Sequence, residues 1–298
     1  MNAYTRLLLI CDPLLRDSAA MARAKALALA GGGHLHMVTL DALPVGLGVL
    51  DSVLQTRARE ETRLRQERWL EERAVELRAQ GVEVGVEAIW TENPLEEALR
   101  LVEQHGIDLV VKDSQYEPAL SRAIMTPLDW QLLRRCPVPL HLVSTADNPR
   151  PQRVLAALDL SQDDVLVDQL NDHIVESAQA LARQCGAELH LLQAYDLASG
   201  YLAYAAGPVA WSPEVAEQMS GRSRQRMDRI GERFGVGRPY QHLVKGAATQ
   251  VISEFANEKR FDVVVMGTLY RPGLAKIIGS TTEQALYRVH SGILAVRP

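Results

Sequence analysis

Short, almost wholly apolar segments alternate along this chain with longer segments of mixed polarity. Residues 6–11 (RLLLIC) and 262–267 (DVVVMG) are typical of strands buried on both faces of a parallel sheet. Residues 19–29 are rich in alanine and leucine and run into three glycines, which predicts a helix and its end. Residues 57–80 place apolar side chains at helical spacing among acids and arginines, which predicts a long amphipathic helix.

The same alternation of strands and helices continues through both halves of the chain. In the first half we predict strands at 6–11, 34–40, 82–90, 108–112 and 139–143, with helices at 19–29, 57–80, 94–104 and 127–135. In the second half we predict strands at 154–158, 188–195, 241–245, 262–267 and 293–297, with helices ending at 185, at 214–234, and from 249 and 281. Such alternation predicts an α/β fold, in which helices cover both faces of a parallel sheet.

The two halves also repeat one another in sequence. Residues 106–114 (GIDLVVKDS) resemble residues 260–268 (RFDVVVMGT), and their aspartates lie 154 positions apart. Further residues keep the same spacing, and one spacing held at several positions indicates duplication. We therefore expect two domains, residues 1–147 and 152–298, joined by the proline-containing segment NPRPQ.

Composition and charge narrow the range of functions. Hydrophobic residues make up 47% and charged residues 23% of the chain, and the net charge of −5 does not favour nucleic acid. Cys11, Cys136 and Cys185 lie far apart, so we expect small buried apolar residues in a reducing compartment rather than disulfides or a zinc cluster. No apolar run suits a signal peptide or a membrane span. We therefore expect a cytoplasmic protein with no nucleic-acid partner.

Two segments carry a resemblance to a known family. Residues 126–143 (TPLDWQLLRRCPVPLHLV) and 266–286 (MGTLYRPGLAKIIGSTTEQAL), with Asp12 and Asp159 after the first strand of each half, resemble universal stress proteins of the tandem two-domain type. The resemblance implies an open five-stranded parallel sheet in each domain, of the adenine-nucleotide alpha-hydrolase-like, Rossmann-like kind. It also implies ATP or AMP as candidate ligands at the carboxyl ends of the strands. The two domains are expected to pack as a pseudo-dimer, and a homodimer stays open.

The nucleotide-binding relatives share a glycine pattern that this chain follows only in part. In them a glycine, two residues, a second glycine, nine residues and a third glycine precede Ser or Thr. By resemblance, the candidate ligand-binding residues are Asp159, Gly267, Gly273, Gly279, Ser280 and Thr281. Tyr270 stands where the second glycine is expected, and eight residues rather than nine separate it from Gly279. A tyrosine side chain opposes close approach of a phosphate to the backbone, and Gly273 offers a way to re-route the loop.

Two interpretations of residues 280–283 (STTE) stay open. The free N–H groups and dipole of a helix start attract an anion, to which the hydroxyls can donate. Alternatively, Ser280 caps the helix and Glu283 reaches back to it, as in a capping box. The first domain lacks the glycines, because Asp113 stands where Gly267 does, and its charge would repel a phosphate. We therefore expect any nucleotide in the second domain only.

Other candidate residues have purely structural interpretations as well. Asp12 and Asp159 both suit turns at strand ends. His36 and His190 lie inside strands, and His34 shares a face with His36, which raises the question of metal binding. We expect hydrogen-bonded or edge histidines and no metal site, because no carboxylate or cysteine completes a ligand set at the usual spacing along the chain.

Two further features are surface or packing segments. Residues 57–78 contain seven arginines and six acids, which indicates a solvated face of salt bridges rather than a nucleic-acid surface. Residues 42–54 and 197–213 are unusually apolar for loops, so they either pack against the protein or form a lid or an oligomer contact. The side chains expected to be covered by protein or ligand are those of Val45, Leu47, Leu202, Tyr204 and Trp211.

Three functions are compatible with these features. The first is a non-catalytic stress-response protein that binds a small ligand. The second is a slow ATPase or nucleotidyl-transfer enzyme, and the third is an interaction module with an apolar pocket and no nucleotide. An enzyme needs a base or nucleophile and metal-holding carboxylates, whereas Arg271, Lys276 and Glu283 are the groups near the glycine loop. There is no Walker A lysine motif, so we expect the first function, with no catalytic residue.

Overall fold

A computed structural model describes most of the chain, namely residues 3–12, 14–41, 52–114, 128–161, 164–195, 213–268, 285 and 288–297. The chain forms two compact units: unit 1 comprises Asn2–Arg150 and unit 2 comprises Pro151–Pro298. Within the described part, no helix combines the length and apolar character needed to cross a bilayer.

Unit 1 is a five-stranded parallel sheet with four described helices. Its elements are β1 (Arg6–Ile10), α1 (Ala19–Gly31), β2 (His34–Asp41), α2 (Ser52–Ala79), β3 (Glu83–Trp90), α3 (Pro94–Gln104), β4 (Leu109–Asp113), α4 (Leu128–Arg135) and β5 (Leu140–Val143). The strand order is β3-β2-β1-β4-β5, and each neighbouring pair is parallel.

Unit 2 repeats this sheet with the order β8-β7-β6-β9-β10. Its elements are β6 (Arg153–Leu158), α5 (Val165–Cys185), β7 (Glu188–Tyr195), α6 (Pro213–Phe234), β8 (Gln241–Lys245), α7 (Ala248–Glu258), β9 (Val263–Gly267) and β10 (Gly292–Val296). A short 3-10 helix, Arg238–Tyr240, precedes β8. Of the helix predicted from residue 281, only the helical Ala285 belongs to the described residues. The predicted α/β fold of parallel sheets with helices is confirmed.

The strand order determines where a ligand can lie in each unit. The chain builds outward from β1 through β2 to β3 and then returns to the other side of β1. Right-handed crossovers then place α1 and α2 on one face of the sheet, and α3 and α4 on the other. The order reverses between β1 and β4, and in unit 2 between β6 and β9, so the carboxyl ends of these strands form the crevice where open α/β sheets bind ligands.

The repeated aspartates have the same structural role in both units. Asp108 accepts hydrogen bonds from the backbone N–H groups of Thr5 and Arg6 at 2.8 and 3.0 Å. Asp262 accepts them from Gln152 and Arg153 at 2.8 and 3.0 Å. Each carboxylate satisfies two backbone N–H groups at the start of the central strand of its unit. Both units therefore begin their central strand in the same way.

Candidate functional site

The loop after β6 presents Asp159 at the carboxyl end of the central strand of unit 2. The backbone N–H of Asp159 donates to Oδ1 of Asn171 at 3.0 Å, and its carbonyl accepts from Nδ2 at 2.7 Å. Its Oδ1 accepts hydrogen bonds from the N–H of Ser161 at 3.0 Å and from the Ser161 hydroxyl at 2.5 Å. The residue itself is exposed, so its carboxylate faces solvent from a backbone that is held in place.

Two buried amide side chains hold this loop. Asn171 lies on α5, and Gln193 lies on β7 and accepts a hydrogen bond from the N–H of Leu160 at 2.6 Å. Both side chains are 2% exposed, which is unusual for polar residues unless they are hydrogen-bonded. The sequence interpretation missed both residues. The sequence does contain a sign of them: each is an amide residue at a position where the periodicity of the helix or strand predicts a buried apolar side chain.

Gly267 ends β9 next to this loop, and the structure gives it a packing role. A Cβ atom at this position would lie 2.5 Å from Cδ2 and 2.7 Å from Cγ of Leu170, which is closer than carbon atoms can approach. Thr268, the next residue, donates its N–H and its hydroxyl to the carbonyl of Val296 at 2.8 and 3.2 Å. The space above Gly267 is therefore filled by α5, so the absence of a side chain here has a structural reason that does not require phosphate.

The remaining residues of the predicted glycine loop lie outside the described residues. They are Tyr270, Gly273, Gly279, Ser280, Thr281 and Glu283. The same holds for the apolar loop residues Val45, Leu47, Leu202, Tyr204 and Trp211. What the sequence predicts for these two groups stays a prediction.

In unit 1 the aspartate equivalent to Asp159 is engaged by its own chain. Oδ1 of Asp12 accepts a hydrogen bond from the N–H of Leu14 at 2.9 Å, and Oδ2 accepts one from Nε of Arg16 at 2.7 Å. The side chain of Asp12 is only 10% exposed. The predicted turn-forming role is confirmed for Asp12.

Asp113 fills the position that Gly267 leaves without a side chain. Its Oδ1 accepts a hydrogen bond from the N–H of Ala20 at 2.9 Å, in the first turn of α1. Beside it, the buried Lys112 lies with Nζ 2.7 Å from Oδ1 of Asp129, which is also buried. A carboxylate of the protein thus already occupies a helix N-terminus, where an anionic ligand would otherwise be stabilised.

The three cysteines are buried, as predicted, and none of them forms a disulfide. Cys11, at the end of β1, is 3% exposed. Burial, and next the carboxylate of Asp113, raises the pKa of the Cys11 thiol well above its usual range. The thiol therefore stays protonated and packs as a small apolar group.

Spacing along the chain offers no carboxylate as a partner for His36, but the fold brings Glu87 next to it. Nε2 of His36 lies 3.1 Å from Oε1 of Glu87, and Nε2 of His105 lies 3.5 Å from the same oxygen. The rings of His36 and His105 stack with centroids 4.2 Å apart. Burial, and next the His105 ring, lowers the pKa of His36 to about 4, so His36 is neutral at pH 7. Spacing along the chain missed this group, because its members lie on β2, on β3 and just after α3.

His190, the equivalent histidine of unit 2, forms a hydrogen bond with His242. This agrees with the expectation of a hydrogen-bonded histidine at this position. Nδ1 of His190 lies 2.9 Å from Nε2 of His242, and the two rings stack with centroids 5.2 Å apart. Tyr240 and Phe261 contact the His190 ring edge-on. Burial, and next the His190 ring, lowers the pKa of His242 to about 4.

The arginine-rich helix α2 carries the predicted salt bridges. Arg63 pairs with Glu60 at 2.7 Å and also with Glu67. Arg73 pairs with Asp17 at 2.6 Å, and its guanidinium lies 3.8 Å from the centroid of the Trp69 ring. Acids of the same unit therefore neutralise these arginines, which confirms a solvated face of ion pairs.

Comparison with known proteins agrees with this architecture. The sequence model described as "Universal stress protein family" matches residues 3–144 and again residues 151–297. The chain is 31% identical to the "Universal stress protein E homolog" of Haemophilus influenzae over 219 residues, 73% of this chain and 71% of that protein. It is 28% identical to "Universal stress protein E" of Escherichia coli K12 over 307 residues, 100% of this chain and 95% of that protein.

A solved structure gives the same picture in three dimensions. The "Putative Universal Stress Protein" of Pseudomonas aeruginosa UCBPP-PA14 superposes with a TM-score of 0.72 at 25% identity, covering 99% of this chain and 94% of that one. With two matches to the family in tandem and full-length similarity to proteins of the E type, the chain belongs to the universal stress protein family, as a stress-response protein of the tandem UspE type.

Proposed function

We propose that the protein is a non-catalytic stress-response protein that binds a small ligand, an adenine nucleotide such as ATP or AMP, at the carboxyl ends of β6 and β9. One observation carries the proposal: the two units differ at equivalent positions of the crevice. In unit 1 the carboxylates of Asp12 and Asp113 accept hydrogen bonds from Arg16 and from the first turn of α1, whereas in unit 2 Asp159 is exposed. The nucleotide is therefore assigned to unit 2 alone.

The loop after β6 is held in place so that Asp159 can accept hydrogen bonds from uncharged donor groups of a ligand. Asn171 and Gln193 fix the backbone from Asp159 to Leu160, so a ligand does not have to order this segment when it binds. An ionised carboxylate only accepts hydrogen bonds. The hydroxyls of a ribose and the amino group of an adenine are donors of the matching kind, which supports our assignment of the sugar and base end of the nucleotide to Asp159.

The phosphate end of the nucleotide is assigned by resemblance. Gly279, Ser280 and Thr281 stand in the sequence where nucleotide-binding relatives contact phosphate. Gly267 has no such part in the proposal, because Leu170 fills the space next to it. Tyr270 opposes close approach of the phosphates by its bulk, so we expect weak affinity.

Two alternatives make different predictions for the same sample. A slow ATPase or nucleotidyl-transfer enzyme would turn over bound ATP, and such chemistry needs carboxylates that hold metal ions at the phosphates. An interaction module with an apolar pocket would bind no nucleotide at all. Turnover and stoichiometry therefore separate the three functions.

Isothermal titration with ATP and AMP tests the proposal with a matched pair of variants. We expect one nucleotide per chain, at least about tenfold weaker binding in Asp159→Ala, and unchanged binding in Asp12→Ala. Gly279→Val should abolish binding, since a branched side chain would block the helix start. A stoichiometry of two, or weaker binding in Asp12→Ala, would overturn the assignment to unit 2. Hydrolysis of ATP at or above about one turnover per second would contradict a non-catalytic protein.

A further inference from the structure

We propose that unit 1 carries a binding site for a divalent transition-metal ion, with Zn²⁺ as the expected occupant, formed by His36, Glu87 and His105. The site lies on the α3 face of the sheet, away from the crevice at the carboxyl ends of the strands. It departs from the expectation, drawn from the sequence, that the chain holds no metal.

The register of the sheet brings the three residues together. His36 is opposite Gly85 in the parallel pairing of β2 with β3, and Val38 is opposite Glu87. Side chains two residues apart on a strand share a face, so His36 and Glu87 project to the same side. His105 follows the last residue of α3, which packs against that side of β2.

The three ligand atoms converge. Oε1 of Glu87 lies 3.1 Å from Nε2 of His36 and 3.5 Å from Nε2 of His105, and all three atoms lie within 4.8 Å of one another. Ligands about 2.0–2.2 Å from a zinc ion in tetrahedral geometry are about 3.3 Å apart, so the separations from Glu87 suit a shared metal. The two stacked rings must turn apart for both lone pairs to point at one ion.

Gly85 makes room for the histidine ring. A Cβ atom at position 85 would lie 2.7 Å from Nδ1 of His36, so any side chain larger than hydrogen would displace the ring. In unit 2 the residue before Gln241, which is opposite Leu191, is Tyr240, and its ring contacts that of His190. The glycine is therefore found in unit 1, where the three ligand atoms converge, and a tyrosine is found in unit 2.

The nitrogen atoms are available to a metal. Nε2 of His36 and Nε2 of His105 are buried, and among the described residues neither makes a hydrogen bond of good geometry, although Oε1 of Glu87 lies 3.1 and 3.5 Å away. Buried polar atoms without partners are costly, and a metal ion would satisfy both.

The ligand set and its exposure favour zinc. Two imidazoles and one carboxylate are the ligands of well-known zinc sites, where water takes the fourth position. The Glu87 side chain is 35% exposed, so an ion and its water can reach the site from solvent. The resulting site would be of the open kind, with three protein ligands.

Unit 2 supplies an internal control. In unit 1 Glu87 is opposite Val38. The residue of unit 2 equivalent to Val38 is Leu192, 154 positions later, and His242 is opposite it. His242 therefore takes the position of Glu87. The residue equivalent to His105, 154 positions later, is Lys259, whose ammonium group replaces the imidazole. His190 and His242 already bond to each other. The proposal therefore assigns a single metal to the chain.

Zinc titration of the untagged full-length chain, stripped with a chelator, tests the proposal. We expect one Zn²⁺ per chain in a competition assay with a zinc-sensitive dye, and weaker binding by at least about tenfold in both Glu87→Gln and His105→Gln. The matched variant His242→Gln in unit 2 should bind zinc as the wild type does. Co²⁺ should give the strong visible absorption of a tetrahedral site, and Glu87→Gln should lose it.

The outcomes that overturn the proposal are equally specific. Zinc binding that persists in both Glu87→Gln and His105→Gln would place the metal elsewhere. Binding that His242→Gln removes would assign it to unit 2, and no binding at micromolar zinc would refute the site. Two variants and a spectroscopic signature are included so that misfolding of one variant does not decide the result.

Discussion

Buried histidines make the stability of this protein depend on pH. Burial, and next the His105 ring, lowers the pKa of His36 from 6.5 to about 4, and burial, then the His190 ring, does the same for His242. In the unfolded chain these groups take up protons near pH 6.5, while the folded chain resists protonation. Their contribution to stability is therefore complete above about pH 6.5 and is lost progressively as the pH falls to about 4.

We expect His36→Gln to flatten this dependence. Burial opposes protonation of His36 in the folded state, and His105, His34 and Arg100 add to this opposition. The Glu87 carboxylate, 3.1 Å away, acts in the other direction without reversing the shift. Urea unfolding in a chelator should show wild-type stability falling by roughly 1–3 kcal/mol between about pH 6.5 and about pH 4.5. The fall should be smaller in His36→Gln. Parallel curves for the two proteins would show that His36 does not titrate on unfolding.

At the scale of elements, the contact between β9 and α5 explains a glycine that the sequence connects with phosphate. Leu170 projects from α5 onto the backbone of Gly267, and the two approach so closely that a methyl group would overlap the leucine. Leu170 is 5% exposed, so it has little room to withdraw. This packing determines how near α5 lies to the end of β9, and with it the position of Asn171 on the same helix.

A pair of substitutions tests this packing. Gly267→Ala should lose on the order of 1–3 kcal/mol of unfolding free energy by overpacking. Leu170→Ala alone should also destabilise, because it leaves a cavity. The double variant should be more stable than the sum of the two losses predicts, since the new methyl group enters the space that leucine leaves. Additive losses in urea unfolding would show that Leu170 is not the obstacle.

Helices and strands were predictable because their local signals agree with their packing. Helix α3 is observed as Pro94–Gln104, the predicted range, because Asn93 caps it and proline occupies its first turn. Helix α2 begins at Ser52, before the predicted residue 57. The interleaved arginines and acids start at Arg57, whereas the preceding SVLQT segment contains no helix breaker and extends the helix.

The candidate sites were less predictable, because they depend on neighbours across the sheet. Asp159 could be placed at a strand end from its sequence, but its partner Asn171 is on a helix whose rotation the sequence does not specify. His36, Glu87 and His105 are separated by long stretches of chain and meet only through strand register and the end of α3. Periodicity gives the face on which a residue lies, but not which residue of the neighbouring strand stands opposite.

On the scale of the whole molecule, the two units share one sheet topology but carry different side chains on it. Asp108 and Asp262 keep the same backbone hydrogen bonds at the start of each central strand. The crevice and the α3 or α7 face, in contrast, carry different residues in the two units. In unit 1 Asp113 accepts a hydrogen bond from the first turn of α1, and His36, Glu87 and His105 converge. In unit 2 Asp159 is exposed, and His190 forms a hydrogen bond with His242. We therefore expect each ligand to act on one unit.

Hydrogen–deuterium exchange of the full chain can test this division directly. ATP should slow exchange in unit 2 at the loop after β6 and in the first turns of α5, and should leave the loop after β1 unchanged. Zn²⁺ should slow exchange in unit 1 at β2, β3 and the end of α3, because a shared ligand ties the three elements together and suppresses local opening.

Two variants serve as controls for this experiment. Asp159→Ala should remove the response to ATP and keep the response to Zn²⁺, and Glu87→Gln should do the reverse. Protection by ATP in unit 1, or by Zn²⁺ at β7 and β8, would contradict the assignment of the ligands to separate units. Loss of both responses in a single variant would contradict their independence, since Asp159 and Glu87 lie on different units and share no partner among the described hydrogen bonds and ion pairs.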